Sequence, residues 1–191
     1  MELCPIGLLE DNQLNLNYRV ENYCSFDLDY IWSIHPHFNL YENTRILIDG
    51  NPDICVDFTK NNAFELKSKK YKWPVLQTED GGKIDFSLIT DIDSGEAEKL
   101  YLSNLVKGEV KVNYLDKKES ITFKFNKDIL KNCGIWIDKS GWPFNSNPYK
   151  VMAIEPCSCI SDRFEDSFQK GVFETVKSKS YNEWNLVLIL E

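Results

Sequence analysis

Hydrophobic and polar positions alternate with period two through several stretches of this chain. Leu14, Leu16, Tyr18 and Val20 share one side of "LNLNYRV", and Ile121, Phe123 and Phe125 share one side of "ITFKFN". Trp184, Leu186, Leu188 and Leu190 repeat the pattern in "WNLVLIL". Successive side chains of a strand point to opposite faces, so each stretch predicts a half-buried strand. "TRILID" from Thr44, "EVKVNYL" from Glu109, "CGIWID" from Cys133 and "KVMAIE" from Lys150 predict further strands. Turn signals such as "DGNPD", "EDGG" and "DSGE" lie between them. "GEAEKLYLSNLV" is the one stretch open to a helical reading, and strand is the assignment adopted. Nothing supplies the helices of about 12 residues that α/β crossovers use, so a mostly antiparallel all-β sandwich is predicted. No internal repeat, low-complexity tract or linker rich in Pro, Gly or Ser interrupts the pattern, and residues 1–191 read as a single domain.

Composition adds that a real core is affordable: 42% of 191 residues are hydrophobic and 13% aromatic. The net charge of -8 and a pI near 4.9 disfavour nucleic acid and anionic membranes as partners. The densest cationic run, Lys67 to Lys72, reads as a solvated hairpin. Six cysteines are spread thinly, and no secretory leader precedes them, so reduced thiols and a cytoplasmic setting are expected. No window approaches the roughly 18 apolar residues of a membrane span.

Both histidines, His35 and His37, fall in "IHPHFNL", where i and i+2 project to one side of an extended strand. Cys157 and Cys159 are available as two further ligands, but C-x-C with H-x-H lacks the spacings of common zinc modules, so no metal is expected. The stronger reading of His37 at this point is a histidine packed among aromatics with a ring nitrogen on backbone. There is no G-x-S-x-G elbow and no local signature of an activated thiolate. "EDGGK" lacks the G-x-x-x-x-G-K phosphate loop, which removes kinase and dinucleotide readings. Glu155 closes the apolar run "VMAI" and precedes Pro156, which places it at a strand end, partly desolvated and with a raised pKa suited to a general base. The alternative is a carboxylate capping nearby amides.

Three segments carry a family resemblance. "HPHFNL" resembles the His-x-Tyr-Phe-Asn-Leu signature of galactose mutarotase (aldose 1-epimerase), and "GIWIDKSGWPFNSNPYKVMAIEPCS" is similar to that family's Trp, Gly-Trp-Pro and apolar-Glu-Pro segment. "DSFQKGVFETVKSKSYNEWNLVLIL" resembles the loop and final strand that close such domains, so the similarity runs from about Gln13 to the C-terminus. The resemblance implies a large twisted antiparallel β-sandwich, the mutarotase supersandwich, with no metal and no nucleotide cofactor. It implies His35 as general acid, Glu155 as general base, and Trp142, His37 and Asn39 as substrate-binding residues. A base taking the anomeric proton while an acid protonates the ring oxygen opens the sugar to an aldehyde, and reclosure gives the other anomer. Proximity to Glu155 is expected to keep His35 protonated.

The sequence also departs from the family pattern. Ile34 stands where the family has Asn before the motif histidine, and His37 occupies the aromatic position. The family's further histidine and arginine, from earlier strands, have no counterpart, and Asp80, Asp85 and Asp93 are all open as the sugar-binding aspartate. The chain thus reads as the C-terminal part of a mutarotase-like domain. A homodimer or a partner chain is expected to cover the exposed sheet. The competing reading is a non-catalytic carbohydrate-binding or truncated domain that needs such a partner to complete its site.

Overall fold

A computed structural model describes the chain except residues 1, 62–63, 65–68 and 145–146, and gives only backbone for residues 2–6. In chain order the strands are β1 (Glu2–Glu10), β2 (Gln13–Glu21), β3 (Leu28–Tyr30), β4 (His37–Asn39), β5 (Thr44–Ile48) and β6 (Asp53–Lys60). Then come β7 (Lys70–Lys72), β8 (Val75–Gln77), β9 (Lys83–Asp85), β10 (Leu88–Ile89), β11 (Glu96–Ser103) and β12 (Glu109–Tyr114). The chain ends with β13 (Glu119–Phe125), β14 (Asn132–Lys139), β15 (Lys150–Cys157), a short helix α1 (Phe164–Gln169), β16 (Glu174–Val176) and β17 (Tyr181–Leu190). Every predicted strand forms, including "GEAEKLYLSNLV", which becomes β11.

Two antiparallel sheets dominate. One has seven strands in the order β1-β2-β17-β13-β12-β5-β10, and the other six in the order β4-β15-β14-β11-β6-β7. The alternation decides which faces meet. Val110, Val112, Phe123, Leu186 and Leu188 of the larger sheet are buried in one cluster with Ile54, Val56, Leu100, Ile135, Ile137, Met152 and Ile154 of the smaller. Phe38 of β4 meets Phe123 of β13 edge to face, with centroids 5.6 Å apart. Removing each such side chain from water contributes about 1.5–3 kcal/mol, so this shared interior is the main stabilising term.

The structure differs from the sequence reading in two places. The first residues form β1, a hairpin partner of β2 on the open edge of the larger sheet. Its side chains are of mixed character, which hid the strand from a period-two reading. Glu155 is not at a strand end: β15 continues through Pro156, opposite Cys133, to Cys157, opposite Asn132. Proline removes one donor only, and the ladder with β14 continues on either side of it. The cationic run from Lys67 lies partly outside the described residues, and its remainder forms β7. Cys24, Cys133, Cys157 and Cys159 are free thiols. No helix among those residues is long and apolar enough to cross a membrane.

Candidate active site

The face of the six-stranded sheet turned away from the core carries the polar residues. On β11, Leu100 and Leu102 are buried in the core, whereas Lys99 lines a cavity on the other face. Trp136 of β14 and His37 of β4 line the same cavity. β6 contributes through a bulge. Lys99 pairs with Phe58 and Leu100 with Val56, which leaves Asp57 as the extra residue. An inserted residue re-aims its neighbours, and both Asp57 and Phe58 reach the cavity.

The cavity has a volume of about 480 Å³, within the range that holds a small organic ligand. Phe58, Trp136 and Trp142 form an aromatic wall, with Phe58 centroids 5.9 Å from Trp136 and 6.1 Å from Trp142. Trp142 owes its place to Asp138, whose carboxylate accepts the backbone N–H of Gly141 at 2.8 Å and of Trp142 at 3.0 Å. Asp138 is fully buried, and burial pushes its carboxyl upward. Only glycine fits at position 141, because a Cβ there would stand 2.5 Å from backbone atoms of Glu96.

Glu155 lies just beneath the cavity floor, 1% exposed. His35 Nε2 is 3.3 Å from its Oε1, and Ser33 Oγ donates to its Oε2 at 3.4 Å. The imidazole stands off the line a hydrogen bond needs, so Oε1 is buried without a hydrogen-bond partner. The Lys99 ammonium, itself 2% exposed, donates to Oε2. Lys99 Nζ also lies 3.6 Å from Asp162, whose Oδ1 accepts the Tyr101 hydroxyl at 2.5 Å. Burial pushes Glu155 above the ordinary carboxylate range, and the Lys99 charge pulls the other way. His35 is pushed down to about 4, first by burial and then by the Lys99 charge.

Among the residues singled out in the sequence, His35, Glu155, His37 and Trp142 come together here; His35 and His37 meet edge to face with centroids 4.8 Å apart. Asn39 does not line the cavity. Its amide donates to Tyr41 OH at 3.2 Å, because two residues along a strand carry it roughly 6.5 Å past His37 and beyond the rim. The expectation that Glu155 keeps His35 protonated is overturned, since Lys99 takes that carboxylate and repels a second cation. Asp80, Asp85 and Asp93 are engaged elsewhere, with Thr78, with Ser87 and with Lys150. The carboxylates at the cavity are Asp57 and Asp162 instead. Sequence reasoning missed both, and missed Lys99 and Tyr149. Among the described residues, no group of three or more His, Cys, Asp or Glu is placed to hold a metal ion.

No protein-family model and no curated protein matches this sequence. Solved structures do match. An aldose 1-epimerase candidate from Escherichia coli K12 superposes with a TM-score of 0.70 over 99% of this chain at 15% identity. The fold is galactose mutarotase-like. A galactose mutarotase related enzyme from Lactobacillus acidophilus (TM-score 0.64, 16% identity) and a galactose mutarotase-like protein from Lactobacillus casei ATCC 334 (TM-score 0.62, 17% identity) each match over 99% of this chain. The chain spans 60%, 61% and 63% of the length of these three structures. The galactose mutarotase-like fold accounts for the broad sheet whose open face carries the cavity; it does not by itself assign the chemistry there.

Proposed function

We propose that the cavity binds a monosaccharide or sugar derivative and interconverts its anomers by acid/base ring opening, in a cytoplasmic setting. The observation that carries this reading is the 3.3 Å approach of His35 Nε2 to Glu155 Oε1 at the floor of an aromatic-walled cavity. Aromatic faces suit the apolar face of a sugar ring, with Trp142 and His37 as binding residues. His35 meets the ligand and is neutral at pH 7, so in this reading it accepts the anomeric proton. Glu155 holds the imidazolium that forms, and the Lys99 ammonium protonates the ring oxygen. Reclosure reverses each transfer. Asn39, beyond the rim and bonded to the Tyr41 hydroxyl, makes no contact with the ring in this reading.

Polarimetry on fresh α-glucose and α-galactose tests the reading. The chain is expected to speed the decay above buffer, and His35→Ala or Glu155→Gln to lower the catalysed rate roughly 100-fold or more. Activity should be level from about pH 5 to 8 and fall as pH drops through about 4, where His35 gains its proton. Decay no faster than buffer, or unchanged in both variants, overturns it.

A second reading is favoured by one observation: the Lys99 ammonium occupies Glu155 and helps close it off from the cavity. In that case the domain binds sugar without turning it over, and calorimetric titration shows saturation while polarimetry stays at the buffer rate. We further propose that a second copy of the chain, or a separate partner, covers the open edge at β1, where Leu8 and Leu9 are 52% and 69% exposed.

A further inference from the structure

A second cavity, of about 520 Å³, lies on the same sheet face beyond the Tyr101–Asp162 hydrogen bond. β11 serves both: Lys99 lines the first cavity, and Tyr101 and Ser103 line the second. In a chain of net charge -8, this cavity is lined by Lys69, Lys70, Lys131 and Lys170 against two carboxylates, Asp53 and Glu174. Its basic character therefore runs against the whole-molecule charge and has to be local in purpose or accident.

Asn132 distinguishes the two. It is 4% exposed and lines this cavity. On β14, Asn132 takes the same side as Trp136, so its amide opens into the cavity rather than the core. The Ser103 hydroxyl, from the neighbouring strand, lines the same cavity. The two nearest ion pairs are exchangeable: Lys131 Nζ lies 2.8 Å from Glu174 with a 58% exposed side chain, and Lys70 lies 3.9 Å from Asp53 with a 73% exposed one. Both lysines are exposed while Glu174 and Asp53 are only 21% and 14% exposed, so the lysine ends are the mobile members of these pairs.

We infer that the second cavity is a binding site for an oxyanion-bearing small molecule, a phosphate or a carboxylate, taken by Asn132 and Ser103 as neutral donors and by Lys131 and Lys170 as cations. The inference does not rest on the mutarotation reading, since it needs neither His35 nor turnover. Its position one strand step from Lys99 means that a ligand there abuts the Tyr101–Asp162 wall of the first cavity.

Amide chemical-shift titrations with inorganic phosphate, glucuronate and glucose test it on the full chain at low salt. Phosphate, glucuronate or both should shift Ser103, Asn132 and Gly171 saturably, and glucose should not. Phosphate alone identifies a phosphate ligand, and glucuronate alone a carboxylate. Lys131→Ala with Lys170→Ala should weaken binding about tenfold or more, and Ser103→Asp should abolish it by placing a carboxylate in the site. The dispersion of the same spectra shows whether each variant is folded. Failure of both anions to saturate below about 20 mM, shifts confined to His35, His37 and Trp142, or unchanged affinity in the variants, would overturn the inference. Polarimetry is unaffected by any of these outcomes, so the two readings fail separately.

Discussion

Lys99 and Glu155 form a buried pair whose members support each other's charge, and the balance is local to a few atoms. Both are nearly inaccessible, and neither has another fully buried partner of opposite charge among the described residues. Lys99→Met is therefore expected to cost about 3–5 kcal/mol, because it strands an ionised carboxylate in a low-dielectric site. The double variant Lys99→Met with Glu155→Gln should recover much of that loss, measured as urea midpoints for the two single variants and the double. Equal losses in the single and double variants would show that Lys99 acts through packing alone. The histidines were legible because they sit in a compact motif. Lys99 was not, since a lysine in an alternating strand reads as the ordinary solvent-facing residue.

At the scale of the strand, one glycine sets how closely Glu155 lies on β14. Gly134 is directly opposite Glu155, and a Cβ at position 134 would stand 3.1 Å from Oε2 and 3.2 Å from the Glu155 Cβ. The carboxylate thus occupies space that a side chain on β14 would claim. Gly134→Val should cost about 1–3 kcal/mol by overpacking and push the carboxylate off its His35 and Lys99 partners. A thermal melt combined with polarimetry checks this: a lower Tm with unchanged activity would mean that the carboxylate tolerates displacement. The bulge on β6 works in the same register-dependent way, since an unbulged strand that paired Asp57 in regular alternation would carry Phe58 to the core face. "CVDFTK" shows no proline or glycine to announce it, which is why Asp57 was missed. β15 errs in the other direction: the sequence signal of Pro156 was clear, but β14 on one flank and the isolated Ser33–Cys157 bridge on the other let the pairing run past it.

For the molecule as a whole, the two sheets differ in what their outer faces do. The six-stranded sheet turns its outer face into two adjoining cavities, while the seven-stranded sheet ends at β1 with an unpaired edge. Unpaired strand edges are templates for further pairing. Sedimentation equilibrium should accordingly give about twice the chain mass of 22.3 kDa, and a Leu9→Lys variant should return it toward one chain. A concentration-independent species of single-chain mass would end the expectation that a second copy covers this edge.

The longer alternating strands, their inward faces, the all-β class and four of the residues gathered at the site were legible in the sequence itself. Each of those is a local property, set by alternation along a strand or by a short motif. Only the tertiary structure decided that Lys99 would meet Glu155 across 56 residues of chain, that Asp57 and Asp162 would supply the cavity's carboxylates, and that a second, basic cavity would open beside Tyr101. Those contacts depend on the strand order β4-β15-β14-β11-β6-β7, which brings together segments far apart in the chain. The physical reason is that a side chain's periodicity says which face it takes, whereas its charge partners depend on which strand lies alongside, and no window of sequence contains both.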